Sequence, residues 1–343
     1  LRASLGPLVR WRELPNPSDS YSLVLACPQR LLGLLGANLR ALARQNRTHL
    51  DQIYVIVDQP ASPALAAREG QWCRRYPALP VTFLHFTALQ TRVLDALGWG
   101  WAYAWLSWCL GLAATGSRYA VLHDLDLLTL DSDFLEKRFR AIRERGLQYL
   151  GMDRFAFNGF TEADNLMASN EMMLDAAFVR AHFAPIDLFA QVGVYRGRRV
   201  CFDLTLHAQT RAGRGGHLGY QVLEMVHPNQ MICQFTALLR RRGYQPPPRT
   251  SLILLPYYFL LAGDGGPMRE LSAAPGAQAG AAPRVRLCGQ MLDVSGLTAV
   301  HLGTLAEMAF QAERVLRGGV QPEVAGYFEQ LGRLVGGVRA RAA

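Results

Sequence analysis

The 343-residue chain carries little charge and almost no lysine: 18% of its residues are charged, and of 36 basic side chains only Lys137 is a lysine. It has no dense basic run with interleaved aromatics, which argues against a nucleic-acid-binding surface. Its six cysteines, Cys27, Cys73, Cys109, Cys201, Cys233 and Cys288, lie far apart and form no Cys-x-x-Cys pair. That spacing excludes zinc knuckles and dithiol redox motifs. Most of the cysteines sit in apolar runs and read as buried free thiols, which points to a reducing, cytoplasmic setting. Residues Leu1 to Pro15 lack the apolar core of a signal peptide. No internal repeat is found.

Half of the residues are hydrophobic, enough for a large core in one large domain or two moderate ones. The net charge of +9 fits either an ordinary surface or attraction to anionic partners, such as nucleoside diphosphates, anionic glycans or membrane headgroups. The most apolar segment, Leu97 to Gly116, is just long enough to span a bilayer. Its tryptophans, Trp99, Trp101, Trp105 and Trp108, run through the middle rather than belting the ends. Arg92 and Asp95 closely precede it. The segment reads as a buried helix of a sheet protein rather than a transmembrane span, and peripheral membrane contact stays open.

Along the chain, apolar strands alternate with helical patterns. Strands are expected over Ser22 to Cys27, Asp51 to Asp58, Pro80 to Phe86 and Tyr119 to Leu128. Helices are expected over Leu31 to Gln45, Ala64 to Tyr76, Arg92 to Ala114 and Ser132 to Arg145, the last capped by Ser132. This order predicts an α/β protein with βαβ units and a mostly parallel central sheet flanked by helices. Further on, the pattern predicts a polar helix from Asp203 and a flexible glycine-rich loop over Ala212 to Gly219. Helices are expected over Gln230 to Arg242, ended by Gly243, and from Thr304 to Arg317. A basic helix over Gln321 to Ala343 closes the chain. The segments read as an extension (1–20), an α/β half (21–150), a second half of the same domain (151–262), a flexible Ala/Gly/Pro-rich loop (263–284) and a C-terminal region (285–343).

The chemistry concentrates at residues 118–131, Arg-Tyr-Ala-Val-Leu-His-Asp-Leu-Asp-Leu-Leu-Thr-Leu-Asp. A buried strand here delivers Asp124 and Asp126 to its carboxyl end, where ligands bind in open α/β sheets. Two carboxylates that close repel each other unless a cation or donor lies between them. A hard divalent ion, Mg²⁺ or Mn²⁺, suits carboxylates combined with substrate phosphates. The ends of the first and second strands bring Cys27-Pro28 and Asp58 to the same edge.

The strand–helix series over roughly residues 20–205, ending in Asp124-Leu125-Asp126, resembles a glycosyltransferase of the GT-A fold. The resemblance implies a UDP- or GDP-sugar donor, a divalent cation on its diphosphate, and a glycan or other hydroxyl acceptor. It implies that Asp126 is the direct metal ligand and that Asp124 lies nearer the ribose or a metal-bound water. It implies that Asp58 meets the nucleobase or ribose, although a turn-forming Asp before Gln59-Pro60 is an equal reading. Arg92 would reach the diphosphate or stay at the surface. His301, in Val-His-Leu-Gly, would be a third ligand or a structural histidine, and an imidazole favours Mn²⁺ over Mg²⁺. For the base that deprotonates the acceptor, Asp203 comes first, with a helix N-cap as its alternative. Glu171 is its rival, because Asn170-Glu171 before Leu174-Asp175 resembles a sugar-contacting segment. His207, His217 and His227 receive no role.

Departures from the common inverting pattern leave the base and the stereochemistry open: Gln59-Pro60 replaces a second acid, and no Glu-Asp pair lies near Asp203. Two other enzyme readings fit less well. A haloacid-dehalogenase-type phosphatase needs Asp-x-Asp-x-Thr, but Thr129 stands one place late, and Met268 replaces the second acid of its later metal motif. A sugar nucleotidyltransferase needs a glycine-rich loop after the first strand, which Cys27-Pro28-Gln29-Arg30 does not supply. A non-catalytic scaffold of the same fold would not need both acids.

Overall fold

The structure is a computed structural model that describes residues 1–240, 251–273, 284–294 and 296–342. Its strands are β1 (Ser18–Cys27), β2 (Leu50–Val57), β3 (Val81–His85), β4 (Ser117–His123), β5 (Leu128–Thr129), β6 (Tyr149–Gly151), β7 (Met172–Asp175), β8 (Gln191–Tyr195), β9 (Arg198–Phe202), β10 (Gly215–His217) and β11 (Met225–Val226), followed by β12 (Ser272–Ala273), β13 (Arg284–Leu287) and β14 (Gln290–Asp293). The chain divides into two compact units. The first comprises Leu1–Leu32, Gln45–Leu125 and Ser132–Gln221; the second comprises Gly33–Arg44, Asp126–Asp131 and Val222–Ala343.

The first unit is built on a seven-stranded sheet in the order β10-β6-β7-β4-β1-β2-β3. β4, β1, β2 and β3 are mutually parallel neighbours, and β7 runs antiparallel to both β4 and β6. The sheet is therefore mostly parallel and flanked by helices, as the alternating pattern predicts. Leu23, Val24 and Leu25 of β1 are all sealed from solvent, and so are Ala120, Val121 and Leu122 of β4. Unbroken apolar runs of this kind mark strands covered on both faces. Ser22, buried within β1, is satisfied by the hydroxyls of Ser117 and Thr115, each 2.9 Å away.

The expected helix over Arg92 to Ala114 is two helices, Ala88–Leu97 and Gly100–Ala114. Gly98 separates them in a left-handed conformation (φ +60°) that ends the first helix, and glycine adopts it without steric cost. The second helix packs on β1 and β2 and buries Trp105, Trp108 and Cys109. Among the described residues, no helix is long and apolar enough to cross a membrane.

Several boundaries differ from the sequence pattern. β4 ends at His123 and the next residues turn, so Asp124 and Asp126 follow the strand instead of alternating along it. The helix Phe134–Glu144 has Asp133, not Ser132, at its N-cap position. The glycine-rich stretch expected as a loop contains β10, which needs only backbone to extend the sheet edge beside β6. The polar helix expected from Asp203 is Leu206–Ala212, so Asp203 precedes it. Of the six cysteines, only Cys27 and Cys109 are buried; Cys201, for example, lies on the outward face of β9.

The second unit contains the ribbon formed by β5 and β11 and the three-stranded sheet β12-β13-β14. Its helices include Leu35–Leu42, Met231–Arg240, Leu255–Ala262, Ala299–Arg317 and Pro322–Ala342. The helix of 19 residues begins at Ala299, earlier than expected, because the Thr298 hydroxyl caps it by accepting from the His301 backbone N–H. The expected helix end at Gly243 lies outside the described residues. So does the 274–283 part of the loop expected to be mobile; the part before it holds a helical turn, Gly266–Arg269, and β12.

Candidate active site

Because β1, β2 and β4 are parallel, their carboxyl ends share one edge of the sheet. Asp58 follows β2 and accepts a 2.7 Å hydrogen bond from the Gln29 backbone N–H, which ties the segment after β1 to the end of β2. Cys27 is buried at the end of β1, and burial pushes its thiol well above the usual range; it stays protonated and sealed. Thr91 donates to the Asp58 carbonyl at 3.4 Å. Arg92, the next residue, is exposed on its helix.

β7 enters the sheet antiparallel to β4, with Met172 opposite Leu122. Glu171, just before β7, therefore meets the end of β4. Its Oε2 lies 2.5 Å from His123 Nδ1, with Glu171 0% and His123 1% exposed. The other oxygen, Oε1, is buried without a hydrogen-bond partner, and Glu171 has a positive φ of 48°. Glu171 is sealed from solvent at its contact with His123. Asn170 donates its amide to Asp153 Oδ2 at 3.2 Å. Asp153, beyond the end of β6, escaped the sequence reading.

Immediately after His123 come Asp124 and Asp126, one residue apart. Asp126 is 4% exposed and firmly held. Its backbone carbonyl accepts from the buried Tyr258 hydroxyl at 2.6 Å, and its Oδ2 accepts from the Ile232 N–H at 3.3 Å. Burial, with the charge of Asp126, raises the Tyr258 pKa well above the phenol range, so this hydroxyl remains a donor. His227 Nε2 stands 3.7 Å from Asp126 Oδ1.

One ligand atom from each of Asp124, Asp126 and His227 lies within 4.8 Å of the others. Two carboxylates and an imidazole gathered this closely form a candidate site for a divalent cation. The histidine in this group is His227, not His301. Pairing of β11 with β5, Val226 opposite Leu128, carries His227 beside Asp126. The signal available in sequence was the short apolar Met225-Val226 ending in a histidine, much as β4 ends in His123-Asp124. His301 instead lies in the first turn of its helix, with Nδ1 buried and lacking a hydrogen-bond partner.

Asp203 follows β9. Its Oδ1 accepts from the Leu204 N–H at 2.7 Å. Burial is the largest influence and raises its pKa above the usual carboxylate value, against smaller lowering influences from the Leu204 N–H and the Trp101 side chain.

The comparisons can be set beside this geometry. No family model and no curated protein matches the chain. Among solved structures it is similar to residues 1–349 of S. aureus TarS, at 11% identity over 94% of this chain and 88% of that one, with a TM-score of 0.41. It is similar to PcManGT from Pyrobaculum calidifontis, in complex with GDP-Man and Mn²⁺, at 12% identity, 99% and 88% coverage and a TM-score of 0.40. It also resembles LgtC, in complex with donor and acceptor sugar analogues, at 12% identity, 49% and 62% coverage and a TM-score of 0.36. A mannosyltransferase and a galactosyltransferase are among the three. At scores this low, none of these likenesses bears on function.

Proposed function

We propose that this chain is a metal-dependent glycosyltransferase that moves a sugar from a UDP- or GDP-sugar to a hydroxyl of a glycan or other acceptor. The observation that carries the reading is the grouping of Asp124, Asp126 and His227 just beyond the carboxyl end of a central parallel strand. Neither rival enzyme reading accounts for an imidazole brought to the acid pair.

In this reading Asp124, Asp126 and His227 hold Mn²⁺ or Mg²⁺, which would neutralise the charge that develops on the departing nucleoside diphosphate. Tyr258 and Ile232 fix Asp126 at its carbonyl and carboxylate. Asp58, Arg92 and Asn170 are the residues for donor recognition at the sheet edge. Asp203 takes the proton of the acceptor hydroxyl while the acceptor oxygen bonds to the anomeric carbon and the bond to the diphosphate breaks. Its raised pKa suits a base of this kind.

Thermal unfolding in the presence of UDP or GDP, with and without Mn²⁺, tests the reading, followed by a screen of sugar nucleotides for slow metal-dependent hydrolysis. Stabilisation that requires both nucleotide and metal, and disappears in Asp126→Ala, is expected. Full activity in excess chelator, or in that variant, overturns it.

A further inference from the structure

The hairpin formed by β8 and β9 has two unlike faces. On the inward one, Val200 and Phe202 pack with Phe155, Phe160 and Leu166 in a small core of their own. An antiparallel pair that covers a core on one side ordinarily turns polar residues outward. Here Val192 and Val194 stand outward instead, 62% and 73% exposed, opposite Cys201 and Arg199 respectively. The Cys201 N–H donates to the Asn158 carbonyl at 3.0 Å. That bond lays the segment carrying Phe157, 69% exposed, along the edge of β9. Aliphatic and aromatic side chains thus stand together in water on one small surface.

The turn between the strands is basic: Arg196-Gly197-Arg198-Arg199. Among the described residues, Asp164 is the carboxylate these arginines contact, at 3.3 Å from Arg196 and 2.6 Å from Arg198, and Arg199 pairs with no acid. The turn therefore keeps a positive charge beside the apolar face. Size and charge choose between occupants. Strands of five residues, rising about 3.4 Å per residue and about 4.8 Å apart, present a face of roughly 17 Å by 10 Å. A stable protein interface covers about 800 Å² of each partner, several times that face. Two copies meeting there would also repeat the same positive charge on both sides. A lipid surface needs no such area: exposed apolar side chains enter the boundary between headgroups and acyl chains, and arginines meet anionic headgroups.

We propose that the outward face of the β8–β9 hairpin, with Phe157 beside it, docks on an anionic lipid bilayer. Val192, Val194 and Phe157 enter the headgroup boundary, and Arg196, Arg198 and Arg199 meet the lipid phosphates. The docking needs neither metal nor nucleotide and stands apart from the transferase reading.

The test is co-sedimentation of the full chain with vesicles of phosphatidylcholine alone and of phosphatidylcholine mixed with phosphatidylglycerol. Binding to the mixed vesicles, and much weaker binding to the neutral ones, is expected. The triple variant Phe157→Ser, Val192→Thr, Val194→Thr removes apolar surface, keeps the net charge and keeps β-branched residues in the strand. It should weaken binding about ten-fold or more, a loss that general attraction of a basic chain to anionic lipid does not produce. Arg199→Glu should weaken binding about five-fold or more, the scale of one basic side chain at an anionic surface. These positions are exposed, so urea unfolding matching that of wild type is expected in each variant. A fluorophore on Cys201 should shift to shorter wavelength on the mixed vesicles, whereas one on Cys73, exposed in the helix Pro63–Arg75, should not. No binding to the mixed vesicles, or binding that the triple variant retains in full, overturns the proposal. So does a dimer that the triple variant abolishes while vesicles are not bound, since that assigns the face to a second copy. Failure of the metal-dependent nucleotide stabilisation is a separate result and counts against the transferase reading alone.

Discussion

Glu171 Oε2 lies 2.5 Å from Nδ1 of His123, and both side chains are sealed from solvent directly behind Asp124. The contact braces the end of β4 against the start of β7, so it sets where the acid pair begins. Loss of a buried hydrogen bond of this kind costs about 1–3 kcal/mol. Glu171→Ala should therefore lose that much in urea unfolding, while Glu171→Gln, which keeps a hydrogen-bonding oxygen, should lose less. Mn²⁺ affinity should fall in both variants, because Asp124 adjoins the disturbed residue.

The proposed metal centre makes opposite demands on two histidines. His227→Ala removes a donor within 4.8 Å of both aspartates and should weaken Mn²⁺ binding by about ten-fold or more, in the range measured for losses around metal sites. His301→Ala should leave it within about two-fold, a factor below 0.5 kcal/mol. Isothermal titration of both variants decides between them. Equal losses would reinstate His301 as a ligand.

Tyr258 supports the same centre from beneath. Its hydroxyl donates to the Asp126 carbonyl at 2.6 Å from a fully buried position. Tyr258→Phe leaves that carbonyl without its donor, at a cost of about 1–3 kcal/mol. The same variant should weaken Mn²⁺ about ten-fold, as loss of an orienting partner commonly does, without touching any ligand atom.

Asp203 and Glu171 can be separated by pH. Burial raises the Asp203 pKa, so its carboxylate takes up a proton at a higher pH than an exposed aspartate, whose pKa is about 3.9. A reaction that needs the ionised base should lose kcat/KM as pH falls through that raised value, which places the acid limb above the ordinary Asp range. Asp203→Asn should abolish transfer, whereas Glu171→Gln should retain it. The folded protein also holds this proton more tightly than the unfolded chain. The stability it contributes is present below the unfolded pKa and lost as pH rises through the folded one, so Asp203→Asn should unfold at higher denaturant than wild type at neutral pH.

The parts of the fold and site legible in sequence were those written locally. Unbroken apolar runs in β1, β2 and β4 announced a sheet buried on both faces, and Asp124-Leu125-Asp126 announced itself by following one of them. Long-range pairing was not legible. His227 reaches Asp126 only because β11 pairs with β5, and two-residue strands leave almost no periodic trace. Glu171 looked like a candidate base because its burial is imposed by the antiparallel pairing of β7 with β4, which no local pattern records. Gly98 was visible as a letter, but the composition of Leu97 to Gly116 masked it as a helix breaker.

Gly111 is the point where the apolar helix touches the sheet most closely. A Cβ built there would lie 2.3 Å from Cγ1 and 2.7 Å from Cγ2 of Val24. Replacing a mid-helix glycine by alanine ordinarily stabilises by about 0.5–1 kcal/mol. Here the added methyl meets a β-branched side chain with little rotamer freedom, on a strand held by β2 on one side and β4 on the other. Overpacking of that kind costs about 1–3 kcal/mol, so the clash outweighs the propensity gain and Gly111→Ala should destabilise in urea. Val24→Ala alone opens a small cavity and should also destabilise. If the close approach is the cause, the double variant should be more stable than the sum of the two losses predicts, with a coupling of about 0.5 kcal/mol or more. Strict additivity would place the helix farther from β1 than 2.3 Å implies.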